Sequence, residues 1–125
     1  MEWEAAPDVR ADLKKILKTI DLPHIQLDRI FIYRTNGSKA RAYARTWGFP
    51  KIFQEALKVQ PAYVIEVLSR YYDKLPSDEQ KRVLIHELLH IPKNFSGALL
   101  PHQTKHRKMH TVVNRLFKEY QKKST

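Results

Sequence analysis

Residues 77–91 read SDEQKRVLIHELLHI. Ser77-Asp78-Glu79-Gln80 has the form of a capping box, with Ser77 as N-cap and Gln80 reaching back from the third helical position. Pro92 disfavours helical geometry in the residue before it, so the helix is expected to stop near Ile91. About 15 residues at 1.5 Å each give a helix of about 22 Å. Val83, Leu84, Ile85, Leu88 and Leu89 put apolar side chains round most of its circumference, which predicts burial on most sides. Such a helix needs a reason to hold His86, Glu87 and His90, because unpaired polar groups are costly in an apolar setting.

Metal chemistry supplies that reason. An i,i+4 pair brings both imidazoles to one face, with Cβ atoms about 6 Å apart, close enough to share one Zn²⁺. Glu87 lies about 100° round the helix from His86, beside such an ion but not bound to it. From there a carboxylate can take a proton from an activated water and pass it to a leaving amine. The bland alternative is two core histidines stacked on a helix by coincidence.

Working outward, Asp8 can cap a first helix whose apolar positions Val9, Leu13, Ile16, Leu17 and Ile20 keep the 3.6-residue period. Ile25, Leu27, Ile30 and Ile32, with Phe31 and Tyr33, predict a strand ending at the Asn36-Gly37 turn signal. Residues 39–47 (KARAYARTW) alternate as a strand with one basic face would, and Ile52–Leu57 reads as a short helical turn. Pro61 opens AYVIEVLSRYY, a third strand in which Val64, Ile65, Val67 and Tyr71 favour extended geometry. Glu66 interrupts it, as a solvated strand face or an acceptor for a ligand's N–H. The last helix is expected to bury Met109, Val113, Leu116 and Tyr120. The fold class is therefore α+β: about three mostly antiparallel strands packed on the central helix, with N- and C-terminal helices, in one domain over residues 1–125.

Composition narrows the chemistry further. The chain has 125 residues and no cysteine, which excludes disulfides, thiol nucleophiles and every zinc site that needs a thiolate. No apolar run approaches the length of about 20 residues that spans a bilayer. The opening MEWEAAPDVR is acidic and lacks the apolar core of a secretory leader, so a cytoplasmic monomer is expected, with no membrane partner. The net charge is +10, and it is uneven: residues 1–28 balance at −2, 29–60 at +6, 61–100 at zero and 101–125 at +6. Two basic blocks flanking the central helix suggest a polyanionic partner such as nucleic acid. Arg41 and Arg45, with Trp47, are the candidate contacts there.

A catalytic site needs a third protein ligand. Downstream of His90 there is neither Asp nor Cys, which leaves Glu119, His102, His106 and His110. The HExxHxxGxxH extension fails, because Lys93 and Ser96 stand at its Gly and last His positions. His102 follows Pro101 at the end of a loop, from which a ligand can swing back. His106 would sit on the first turn of the last helix, His110 points sideways, and Glu119 reads as a surface charge beside Arg115. Tyr71 or Tyr72 can be considered as an oxyanion donor.

The stretches ARTWGFPKIFQEAL, AYVIEVLSRYYDKL, VLIHELLHIPKNFSGALLPH and VVNRLFKEY resemble the small phage-type metallopeptidase family of prokaryotes and their viruses, over about residues 40–120. More loosely the chain resembles SprT-like zincins, in which a His after a loop opens the next helix and completes the zinc site. That likeness implies a minimal zincin fold, Zn²⁺ on His86, His90 and His102, Glu87 as catalytic base, and a peptide substrate laid along an edge strand. The chain departs from the SprT-like pattern at His106, where an aromatic is usual. SprT-like relatives also imply substrates associated with nucleic acid. The rival expectation is a basic nucleic-acid-binding module whose metal is structural or absent.

Overall fold

A computed structural model describes residues 1–104 and 107–124. Strand β1 (Glu2–Ala5) leads into helix α1 (Pro7–Thr19), and β2 (Ile30–Asn36) follows after a single 3-10 turn. Then come β3 (Ala44–Trp47), α2 (Lys51–Leu57), β4 (Tyr63–Leu68), α3 (Ser69–Tyr72) and α4 (Ser77–Leu88). The two-residue strands β5 (Gln103–Thr104) and β6 (Arg107–Lys108) pair with each other, and α5 (Met109–Ser124) closes the chain.

The α+β class is as expected, but the main sheet has four strands in the order β1-β2-β4-β3. β1 is antiparallel to β2, β2 parallel to β4, and β4 antiparallel to β3, so the sheet is mixed. The added strand is the N-terminal segment, whose four residues are all exposed. Only its pairing with β2 marks it as a strand. Tyr71 is not on the third strand, because the chain leaves β4 at Leu68 and turns into α3. The basic strand expected over 39–47 is extended only from Ala44.

Side-chain alternation divides the sheet into two faces. Ile30, Ile32, Ile65 and Val67 face the helices and are buried with Leu13 and Ile16 of α1, Leu84, Ile85 and Leu88 of α4, and Val113, Leu116 and Tyr120 of α5. Burying each such aliphatic side chain is worth about 1.5–3 kcal/mol, so this layer carries most of the driving force. α4 packs against both α1 and α5 and rests against β3. That contact brings the edge strand alongside the His-Glu segment.

The helix ends differ from the expected caps. Pro76 occupies the cap position of α4, Ser77 is already helical, and no side chain caps the end. Gln80 instead donates from Nε2 to the carbonyl of Tyr72 (3.1 Å). Pro7 begins α1, where its missing N–H costs nothing, and Asp8 serves Arg34 rather than the helix end. α4 stops at Leu88, earlier than the Pro92 argument implies. The next turn tightens, with His90 N–H donating to Glu87 O at 3.1 Å and Ile91 N–H to Leu88 O at 3.1 Å. No helix of the described residues is long and apolar enough to cross a membrane.

Candidate metal centre

His86 lies in the last turn of α4, and His90 sits two residues beyond its end. Their Nε2 atoms are 3.3 Å apart. His102 reaches the same point from the far end of the 92–101 loop. Each of the three offers a nitrogen, and these atoms lie within 4.8 Å of one another. A tetrahedral ion with Zn–N bonds of about 2.0–2.1 Å holds its nitrogens about 3.3 Å apart, so the His86–His90 spacing suits such an ion as it stands.

The tautomer fits as well. His90 Nδ1 is 2.7 Å from the carbonyl oxygen of Leu100, so Nδ1 carries the proton and Nε2 presents its lone pair. Leu100 N–H donates back to His90 O at 2.7 Å. This pair of bonds clamps the loop onto the end of α4 and delivers Pro101-His102 to the cluster.

The loop is fixed at its other end by Tyr63 of β4. Tyr63 Oη accepts from Gly97 N–H and donates to Ala98 O, both at 2.8 Å, while its ring packs edge-on to Phe95 at 4.9 Å. Gly97 has φ +95°, and a Cβ there would fall 2.3 Å from Phe49 O. Gln54 of α2 bridges the carbonyls of Phe49 and Ser96 (2.9 and 2.8 Å). The FSGAL segment thus spends its unusual residues on anchoring a loop that ends in a histidine.

Glu87 is buried beside the histidines and lines the clefts on both sides of them. Thr46 of β3 donates from Oγ1 to Glu87 Oε1 at 2.8 Å. Burial raises the Glu87 carboxyl above its ordinary pKa, against the opposing influence of the Thr46 hydrogen bond and the His102 charge. Thr46 escaped the sequence reading, yet alternation carried the signal. In ARTW, Thr46 takes the face opposite Arg45 and Trp47, and register pairs it with core residue Ile65.

The remaining candidates sort by position. His110 is exposed on the first turn of α5, at the rim of the cleft and outside the cluster. His106 lies outside the described residues. Glu119 pairs with Lys123 at 2.7 Å on the outside of α5, not with Arg115. Tyr72 is a core residue, and burial raises its pKa, so it is no oxyanion donor. Tyr71 packs edge-on to Tyr43 at 6.5 Å, in a groove that adjoins the cleft. Arg41 is exposed in the loop before β3.

Glu66 is not what the sequence suggested, and Arg45 is one of its partners. Glu66 is 1% exposed, on neither a solvated face nor a histidine N–H. It accepts from Arg45 Nε (2.6 Å), Trp47 Nε1 (2.8 Å), Trp3 Nε1 (3.1 Å) and the hydroxyl of Thr35. Arg45 is therefore committed to Glu66 and lies over the Trp47 ring at 5.2 Å. Trp47 is half exposed.

A family model described as "Putative phage metallopeptidase" matches residues 1–121. No curated protein and no solved structure matches the chain.

Proposed function

The chain belongs to the phage metallopeptidase family, and from that premise we propose that it is a zinc-dependent peptidase in which His86, His90 and His102 hold the ion and Glu87 is the general base. The observation that carries this reading is the convergence of three imidazole nitrogens within 4.8 Å, beside a buried carboxylate. Neutral imidazoles suit zinc, and three protein ligands leave the open position that catalytic sites keep. When bound, zinc supplies a Lewis acid for the scissile carbonyl and lowers the pKa of a coordinated water towards about 7.

The chain's own residues do the rest. Glu87 takes a proton from the attacking water as the C–O bond forms, then delivers it to the amine nitrogen as the C–N bond breaks. A carboxyl raised by burial suits both acts, because it binds the proton more firmly than an exposed one and still releases it. Thr46 holds Oε1 and leaves Oε2 to face the reacting atoms. β3 has β4 on one side only, so its other edge can pair with an extended peptide whose scissile bond then lies over the histidines.

Metal content and turnover test this together. Wild type and Glu87→Gln should each hold one zinc per chain, and His102→Ala should hold less. Cleavage of an unfolded protein should fall at least about 100-fold in Glu87→Gln, the lower end of what general acid–base catalysis supplies. Undiminished cleavage in the clean variant would sink the base assignment. Folded protein that takes up no zinc would favour the basic nucleic-acid-binding module instead.

A further inference from the structure

The two sides of the histidine cluster differ in charge. On one side lies a cleft of about 410 Å³ whose walls include Tyr43, Val83 and Val113, with Arg82 and His110 at its rim. It shares Ala42 and Tyr43 with a second groove of about 350 Å³, where Arg41 and Tyr71 stand. Arg70 lies over the Tyr71 ring at 5.4 Å. Neither Arg41 nor Arg70 has an ion pair among the described residues. Arg82 is held in place by the Asn114 amide oxygen and the Phe117 ring (5.3 Å), and pairs loosely with Glu79 at 3.8 Å. Among the described residues, Glu87 is the only carboxylate lining either groove.

On the other side, the cleft is lined by Leu99, Leu100 and Thr46, and its one arginine, Arg45, is already neutralised by Glu66. A peptide lying along β3 would therefore meet Arg41 and Arg70, which have no ion pair among the described residues, and the loosely paired Arg82 on the Tyr43 side, and apolar surface on the Leu99 side.

We propose that the Tyr43-side groove is a subsite for acidic residues, so that the preferred substrates are peptide segments carrying Asp or Glu within a few residues of the scissile bond on one side only. This rests on the peptidase reading above. The aromatic rings at its floor accept the stems of those side chains, while Arg41, Arg70 and Arg82 receive the carboxylates. Exposed ion pairs are individually weak, so these cations give a preference of about three- to tenfold, weakened by added salt.

The test uses fluorescein-labelled peptides that differ only in Asp, Ala or Lys at successive positions on each side of one cleavable bond. Cleavage rates and equilibrium binding by anisotropy are both read on the zinc-loaded chain. The expected result is an Asp-over-Lys preference on one side, in binding and in kcat/KM, that collapses towards unity in Arg41→Gln/Arg70→Gln. Cleavage without that preference, or a preference unchanged in the double variant, overturns the subsite and leaves the peptidase reading standing. Acid-selective binding without cleavage of any peptide supports the groove's chemistry and overturns the peptidase reading. A single-stranded oligonucleotide that outcompetes the acidic peptide, and loses affinity in the double variant, overturns the proposal and reassigns the groove to nucleic acid.

Discussion

Thr46 supplies the one side-chain hydrogen bond that Glu87 receives among the described residues, and it does so from the edge strand rather than from the helix that carries the base. A hydroxyl that pins one carboxylate oxygen fixes the direction of the other, and small errors of aim are expensive in proton transfer. Thr46→Val keeps the shape and removes the donor. The expected result is a loss of about tenfold or more in kcat, within the range for supporting hydrogen-bond partners, with KM little changed. Thr46→Ser, which restores the hydroxyl, should recover most of the rate. Equal losses in the serine and valine variants would mean that packing alone is at work. At the residue scale the sequence makes local spacing legible. His86, Glu87 and His90 fall within five consecutive positions, so spacing alone placed them together. His102 was harder, because nothing in the residue pattern states where a ten-residue loop returns.

The loop between α4 and β5 is the element that answers that question, and its anchors lie far away in sequence. Tyr63 sits 34 residues before Gly97, yet its hydroxyl both accepts from Gly97 and donates to Ala98. Tyr63→Phe removes both bonds and leaves the buried Gly97 N–H and the more exposed Ala98 carbonyl short of a partner. The cost should be about 1–3 kcal/mol in stability. Because the loop delivers only one of the three imidazoles, zinc affinity should fall while residual binding through His86 and His90 persists. Chelator competition and urea unfolding on the same samples check both halves, and unchanged zinc affinity would show that His102 reaches the cluster without this anchor. Elements whose cause is local were legible: α1 follows from apolar periodicity, and the core face of α5 is as read with Phe117 added. Elements whose cause is tertiary were not. β1 has neither a buried residue nor an apolar pattern, and exists because β2 offers it an open edge. The α4 capping box is absent because Pro76 already fixes the chain's entry, which frees Gln80 to hold α3.

Across the whole molecule the sheet separates two environments, and Glu66 ties its outer face together. Trp3 of β1, Thr35 of β2, and Arg45 and Trp47 of β3 all donate to this one carboxylate on β4, so every strand of the sheet meets at it. The indole N–H groups point inward, while the rings of Trp3 and Trp47 stay largely exposed, at 63% and 51%. Burial alone would raise the Glu66 carboxyl, but the hydrogen bonds from Arg45, Thr35, Trp47 and Trp3 outweigh it and hold the pKa at about 2 instead of 4.5. A carboxyl depressed in the folded chain stabilises it fully above the unfolded value and loses that contribution as the pH falls through the folded one. The window is therefore from about pH 5 down to about pH 2, and a difference of that size corresponds to about 3 kcal/mol. Glu66→Gln, which cannot titrate, isolates the effect. Urea unfolding at pH 7, 5, 4 and 3 should show wild type well ahead of the variant at pH 7, with the gap narrowing steadily below pH 5. Taking the difference cancels the histidines and the other carboxylates, which titrate alike in both chains. A gap that stays constant down to pH 3 would show that Glu66 holds the strands by packing rather than by its charge.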